Sequence, residues 1–74
     1  MISKPIPPDP DGMNTDRALW AEEAVNTFMR TTGSDREDAV CDLLADIMHL
    51  CDRRGQDFNA ELERARGHYE AETT

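Results

Sequence analysis

The chain has 74 residues and carries 16 acidic against 8 basic side chains, a formal net charge of -8. That length allows a single domain, and no apolar run approaches the ~18 residues of a membrane-spanning helix. The acidic balance, with only 5% aromatic residues, excludes a conventional nucleic-acid binder, which presents a basic surface and rings for base stacking.

Residues 1–13 read as a proline-rich flexible tail. Pro5, Pro7, Pro8 and Pro10, followed by Asp11-Gly12, hold all the prolines of the chain. Each fixes φ and withholds an amide donor, so the segment favours extended or polyproline II backbone. PxxP spacing occurs twice, the pattern of a ligand for a proline-docking module, and a solvated leader is the simpler reading. Met1 to Lys4 lead into no apolar stretch, so no secretory signal is expected. Ile2 and Ile6 are candidates to pack onto the body.

Residues 14–74 form one helical domain with three predicted helices. The first runs over about 15–31, with Asn14 or Thr15 as N-cap, Asp16 in the first turn and Gly33 as the stop. Its apolar stripe is Ala18, Ala21, Ala24, Val25, Phe28 and Met29, with Trp20 at the edge and Leu19 outside it. The second runs over about 35–54. Ser34 and Glu37 have capping-box spacing, and Arg53 and Arg54 precede Gly55. Its apolar set, Val40, Leu43, Leu44, Ile47, Met48, Leu50 and Cys51, covers an arc of roughly 160°, wider than an ordinary surface stripe. This helix is therefore the central one. The third runs over about 58–72 from an Asp57 cap, with a narrow seam of Phe58, Leu62, Ala65 and Tyr69.

The short connections imply antiparallel neighbours. The fold class expected is all-α: a three-helix antiparallel hairpin or bundle. The apolar side chains are few, and a domain of this size is marginal alone. The wide arc on the second helix and the stray Leu19 leave apolar surface to spare. Completion by a homodimer or a hetero-complex is therefore expected. Cys41 and Cys51 lie ten positions apart in one helix, roughly 15 Å, too far for a disulfide. Both read as buried small hydrophobes, and two unpaired thiols point to a reducing cytoplasm.

The acids divide by whether something local balances them. On the third helix Glu61–Arg64, Glu63–Arg66 and Arg66–Glu70 have ion-pairing spacing, and His68 lies between Arg64 and Glu72. Asp35, Glu37 and Asp38 fall in the predicted first turn of the second helix, where the dipole favours them. Asp42 and Asp46 lie beyond that turn, with no Lys or Arg three or four residues away. Asp38, Asp42 and Asp46 stack on one ridge at i, i+4, i+8, and His49 continues it. Three readings compete: a solvated face softened by His49 or an arginine from another helix; a docking surface for a basic partner; and a cation site in which Asp42 and Asp46 join Glu22 or Glu23 of the first helix. Zinc is disfavoured, because neither histidine has Cys or His at ligand spacing. No nucleophile–base arrangement suggests covalent catalysis.

Residues 42–70 resemble the helical core of MazG-type nucleotide pyrophosphohydrolases. The resemblance rests on Asp42-Leu43-Leu44, the apolar run to Leu50, Gly55, the Asp57 cap, Leu62, Ala65 and Tyr69-Glu70. Those enzymes are all-α and oligomeric and hold Mg²⁺ through EExxE and ExxD motifs. Asp42 would stand for the aspartate of ExxD, and Glu22-Glu23 would echo the first motif. Ala39 occupies the glutamate position of ExxD, and Asn26 occupies the last position of EExxE. The resemblance thus implies the helical architecture and a decayed metal site more than an activity. The chain also looks like short acidic proteins of bacterial mobile elements and phages.

The leading expectation is a small acidic helical protein-protein interaction protein, cytoplasmic and not an enzyme. It would act as an inhibitor or DNA-mimic-like binder of a basic, nucleic-acid-binding partner through Asp38, Asp42, Asp46 and His49. It would have no cofactor and make no direct contact with nucleic acid or membrane. The alternative is a MazG-like Mg²⁺-dependent pyrophosphohydrolase or its inactive remnant, with Glu22, Glu23, Asp42 and Asp46 as metal ligands.

Overall fold

A computed structural model describes residues 5–74 of the chain. Residues 1–4, including Ile2 and the start of the tail, lie outside the described residues. Three α-helices follow in order: α1 Asn14–Thr32, α2 Ala39–Arg54 and α3 Phe58–Thr73. The described residues contain no strand, and the all-α three-helix class is as expected from the hydrophobic spacing. No helix is long and apolar enough to cross a membrane among the described residues.

The helix ends follow local chemistry. Gly33 ends α1 with φ 75°, its amide donating to the Met29 carbonyl at 2.8 Å. Gly55 ends α2 with φ 68°, and the next amide, of Gln56, donates to the Cys51 carbonyl at 3.0 Å. Both are left-handed caps that a residue with a Cβ adopts only at a cost. Asp57 caps α3 as expected, its Oδ1 accepting from the Ala60 amide at 3.1 Å.

Two ends depart from expectation. The Ser34–Glu37 capping box is not made. The Asp35 carboxylate accepts the Asp38 amide at 3.1 Å, holding residues 36–38 in a turn, and α2 begins at Ala39. An aspartate side chain competes here with the first helical turn for the same amide. At α1 neither Asn14 nor Thr15 is the cap. The N-cap position falls to Met13, and acids of the tail take the free amides: Asp11 Oδ1 accepts from Met13 at 3.0 Å and Asp9 Oδ1 from Asn14 at 3.1 Å. The last part of the tail is therefore built into the domain. Ile6 is 90% exposed and does not pack down.

Packing is open. Helix α2 touches both α1 and α3. The start of α1 meets the end of α3, where Asn14 Nδ2 donates to the Glu72 carbonyl at 2.8 Å. In a strict up-down-up bundle those two ends would lie about a helix length, ~24 Å, apart. Here they lie together instead. The radius of gyration is 14.2 Å, against about 11 Å for a compact chain of this length. The central position expected of α2 is as observed, but its burial is slight. Ala39 and Cys51, at its two ends, are the only fully buried apolar residues among those described. Leu43 and Ile47 are half-buried, as are Val25, Phe28, Met29 and Phe58, whereas Cys41 is exposed rather than buried. The α3 seam opens along its length, with Leu62 at 37% and Tyr69 at 57% exposure.

Candidate functional site

The corner between α1 and α2 gathers the carboxylates that sequence spacing singles out. Asp38 ends the turn, Asp42 follows one helical turn later and Asp46 a further turn on; all three are exposed, as is His49. The Asp42 amide donates to the Asp38 carbonyl at 2.8 Å, and Ser34 Oγ donates to Asp42 Oδ2 at 2.6 Å. The backbone thus fixes Asp38 and Asp42 side by side, and Ser34 pins one of the two carboxylates.

Because α2 starts at Ala39, Asp42 lies within its first turn. The helix dipole and the Ser34 hydroxyl both favour its charge there, so the expectation that nothing local balances Asp42 is corrected. Asp46 remains without such support. Asp38 is strained electrostatically. The charge of Asp35 first, then loss of solvent contact, a hydrogen bond with Asp35 and the charge of Asp42 hold its carboxyl above the ordinary carboxylate range.

Among the described residues no cation relieves this crowding. The ion pairs among the described residues are Arg17–Asp11 at 2.8 Å, Arg17–Glu72 at 3.4 Å and Arg64–Glu61 at 2.9 Å. Neither His49 nor an arginine pairs with the ridge, and Arg53 donates to the His49 backbone carbonyl at 3.2 Å. On α3 the Glu61–Arg64 pair forms as expected. Glu63–Arg66 and Arg66–Glu70 do not form.

A metal centre does not fit these residues. Glu22 and Glu23 are exposed on α1, and Asp42 and Asp46 are exposed on α2. Among the described residues no three His, Cys, Asp or Glu side chains gather into a set that could hold an ion.

Sequence spacing missed a second polar cluster. Arg17 on α1 binds Asp11 bidentately, Nη1 to Oδ1 at 3.0 Å and Nη2 to Oδ2 at 2.8 Å, and donates to Asn14 Oδ1 at 2.8 Å. It also reaches Glu72 at the end of α3. The hydrogen bond from Arg17, then that from the Met13 amide, lowers the Asp11 carboxyl from 3.8 to about 2. The Asp-Pro-Asp-Gly run just before a helix, with an arginine one turn inside it, was the available signal. This clasp ties the tail and the start of α1 to the end of α3, with Arg17 shared between the Asp11 and Glu72 carboxylates. No family model, curated protein or solved structure matches this chain.

Proposed function

We propose that this is a small acidic protein-protein interaction protein that docks a basic, nucleic-acid-binding partner on the ridge Asp38–Asp42–Asp46, presenting carboxylates where that partner expects phosphates. The observation that carries the reading is the exposed ridge, which no cation among the described residues pairs and whose Asp38 is crowded by Asp35 and Asp42. A fold that crowds like charge without neutralising it lets an incoming arginine or lysine relieve repulsion as well as gain attraction. His49 sits at the far end of the ridge and extends its polar edge. Two free thiols, Cys41 and Cys51, suit a reducing cytoplasm. The reading involves no cofactor and no catalysis.

The test is binding of an arginine-rich peptide from a nucleic-acid-binding protein, measured by titration calorimetry at about 50 and about 300 mM salt. Screening shortens the Debye length between those conditions, and the expected loss of affinity is at least about tenfold. The triple variant Asp38→Asn, Asp42→Asn, Asp46→Asn should lose binding. A variant neutralising three acids of α3, Glu61→Gln, Glu63→Gln and Glu70→Gln, should keep most of it. Equal binding at both salts, or equal loss in the two variants, would overturn the assignment to the ridge.

A further inference from the structure

The accessible surface of the chain is 6382 Å². A compact folded monomer of 8.4 kDa exposes about 4,600 Å². The excess is roughly 1,800 Å² by the same scaling, shared between the exposed tail residues 5–13 and apolar helical surface that no other helix covers. Between α2 and α3 lies an open groove of about 350 Å³, lined by Leu44, Ile47, Leu50, Phe58, Leu62 and Ala65. Leu44 and Leu50 are 45% and 43% exposed. With only Ala39 and Cys51 buried among the described apolar residues, one chain has almost no core.

We propose that the occupant of this groove is a second copy of the chain, the two α2–α3 faces packing against each other about a two-fold axis. Area allows it: obligate homodimers bury upwards of 2,000 Å² in total, about 1,000 Å² per protomer, and the excess, tail included, is larger than that, with Leu44, Leu50 and Leu62 of the groove all exposed. Sequence placement supports it as well. About a two-fold axis at Ile47, antiparallel α2 helices set Leu44 of one copy opposite Leu50 of the other. The groove rim carries both Arg54 and Glu61, so one rim can offer the opposite charge to its copy, as an isologous interface requires. At 100° per residue the aspartate ridge points about 160° away from the apolar arc of α2. Two copies joined by their apolar faces thus keep their ridges on opposite outer sides, and the ridge carboxylates of the two copies do not meet at the interface. The dimer deepens the proposed function by leaving two docking ridges, but its own evidence is the groove.

Sedimentation equilibrium of the full chain from about 1 to 100 µM, a range that brackets typical dimer affinities, decides it. The expected mass is twice 8.4 kDa, with Tm rising on each tenfold increase in concentration. Leu44→Glu should return the mass to that of one chain. If that variant unfolds, the concentration dependence of the wild-type Tm still decides. A cooperative monomer with a concentration-independent Tm would overturn the proposal. So would a poorly ordered monomer that gains helix only when a basic partner is added. The ridge variant of the preceding test should remain dimeric, so failure of the dimer and failure of the ridge are told apart.

Discussion

The two acidic corners of this molecule are built from the same residue types and behave in opposite ways. At the clasp, Asp11 lies against Arg17, and its carboxyl is lowered to about 2. At the start of α2, Asp38 lies against Asp35 and Asp42, and its carboxyl is raised. The first corner ties the tail and α1 to the end of α3; the second ties nothing distant together. Carboxylates that a fold uses are those it surrounds with donors, whereas those it leaves crowded weigh against its own stability. A crowded corner that costs stability is where a partner's charge has most to gain.

Breaking the clasp should have the larger effect. Asn14→Ala removes the side-chain bond to the Glu72 carbonyl and the acceptor for Arg17. The expected loss is about 1–2 kcal/mol, a fall of several degrees in Tm for a domain this small, measured at fixed protein concentration. An equal loss from Ser34→Ala, which removes a hydroxyl at the other corner, would erase the contrast between the two.

Acid should distinguish them next. The folded value of Asp11 lies below its ordinary 3.8, at about 2. Its contribution is therefore present above pH ~4 and lost as pH falls towards 2. Asp11→Asn should lower Tm at neutral pH and remove that part of the acid dependence. A wild-type Tm profile that the substitution leaves unchanged in shape between pH 4 and 2 would refute the role of the clasp.

How much of this was legible depended on the reach of each contact. Gly33, Gly55 and Asp57 act within a turn of where they stand, and the number of helices and three of their ends followed from them. The start of α2 did not, because a short-range rival, the Asp35 side chain, took the amide of Asp38. That one event also brought Asp42 into the first turn and changed its electrostatic account. The clasp joins residues 58 positions apart, and no local pattern encodes such a partner. The wide apolar arc of α2 was plain in the spacing. Spare apolar surface on it was expected as well, but which residues α1 and α3 would leave about half exposed, Val40, Leu44 and Met48, was not, because helical spacing states which face is apolar and not what covers it. The ridge spacing follows from the i, i+4, i+8 pattern, with Asp38 standing just before α2, whereas the cation-site reading, convergence with Glu22 or Glu23, required a crossing angle that no spacing specifies.

The smallest expected effect is the most discriminating. A carboxyl raised above its ordinary value favours the fold when protonated and weighs against it when charged, so the cost of Asp38 is present at neutral pH and fades as pH falls through its titration. Asp38→Asn should therefore raise Tm slightly at pH 7, and the gain should shrink in acid as the wild-type carboxyl takes up its proton. The same substitution removes one of the three ridge charges and should weaken binding of the arginine-rich peptide. A variant that is more stable and binds less well separates the two corners cleanly, since at the clasp the corresponding change, Asp11→Asn, lowers stability and leaves peptide binding as it was. If Asp38→Asn stabilises the fold and binds as tightly as the wild type, the crowding at α2 is a tolerated defect, and the docking role must pass to other acids.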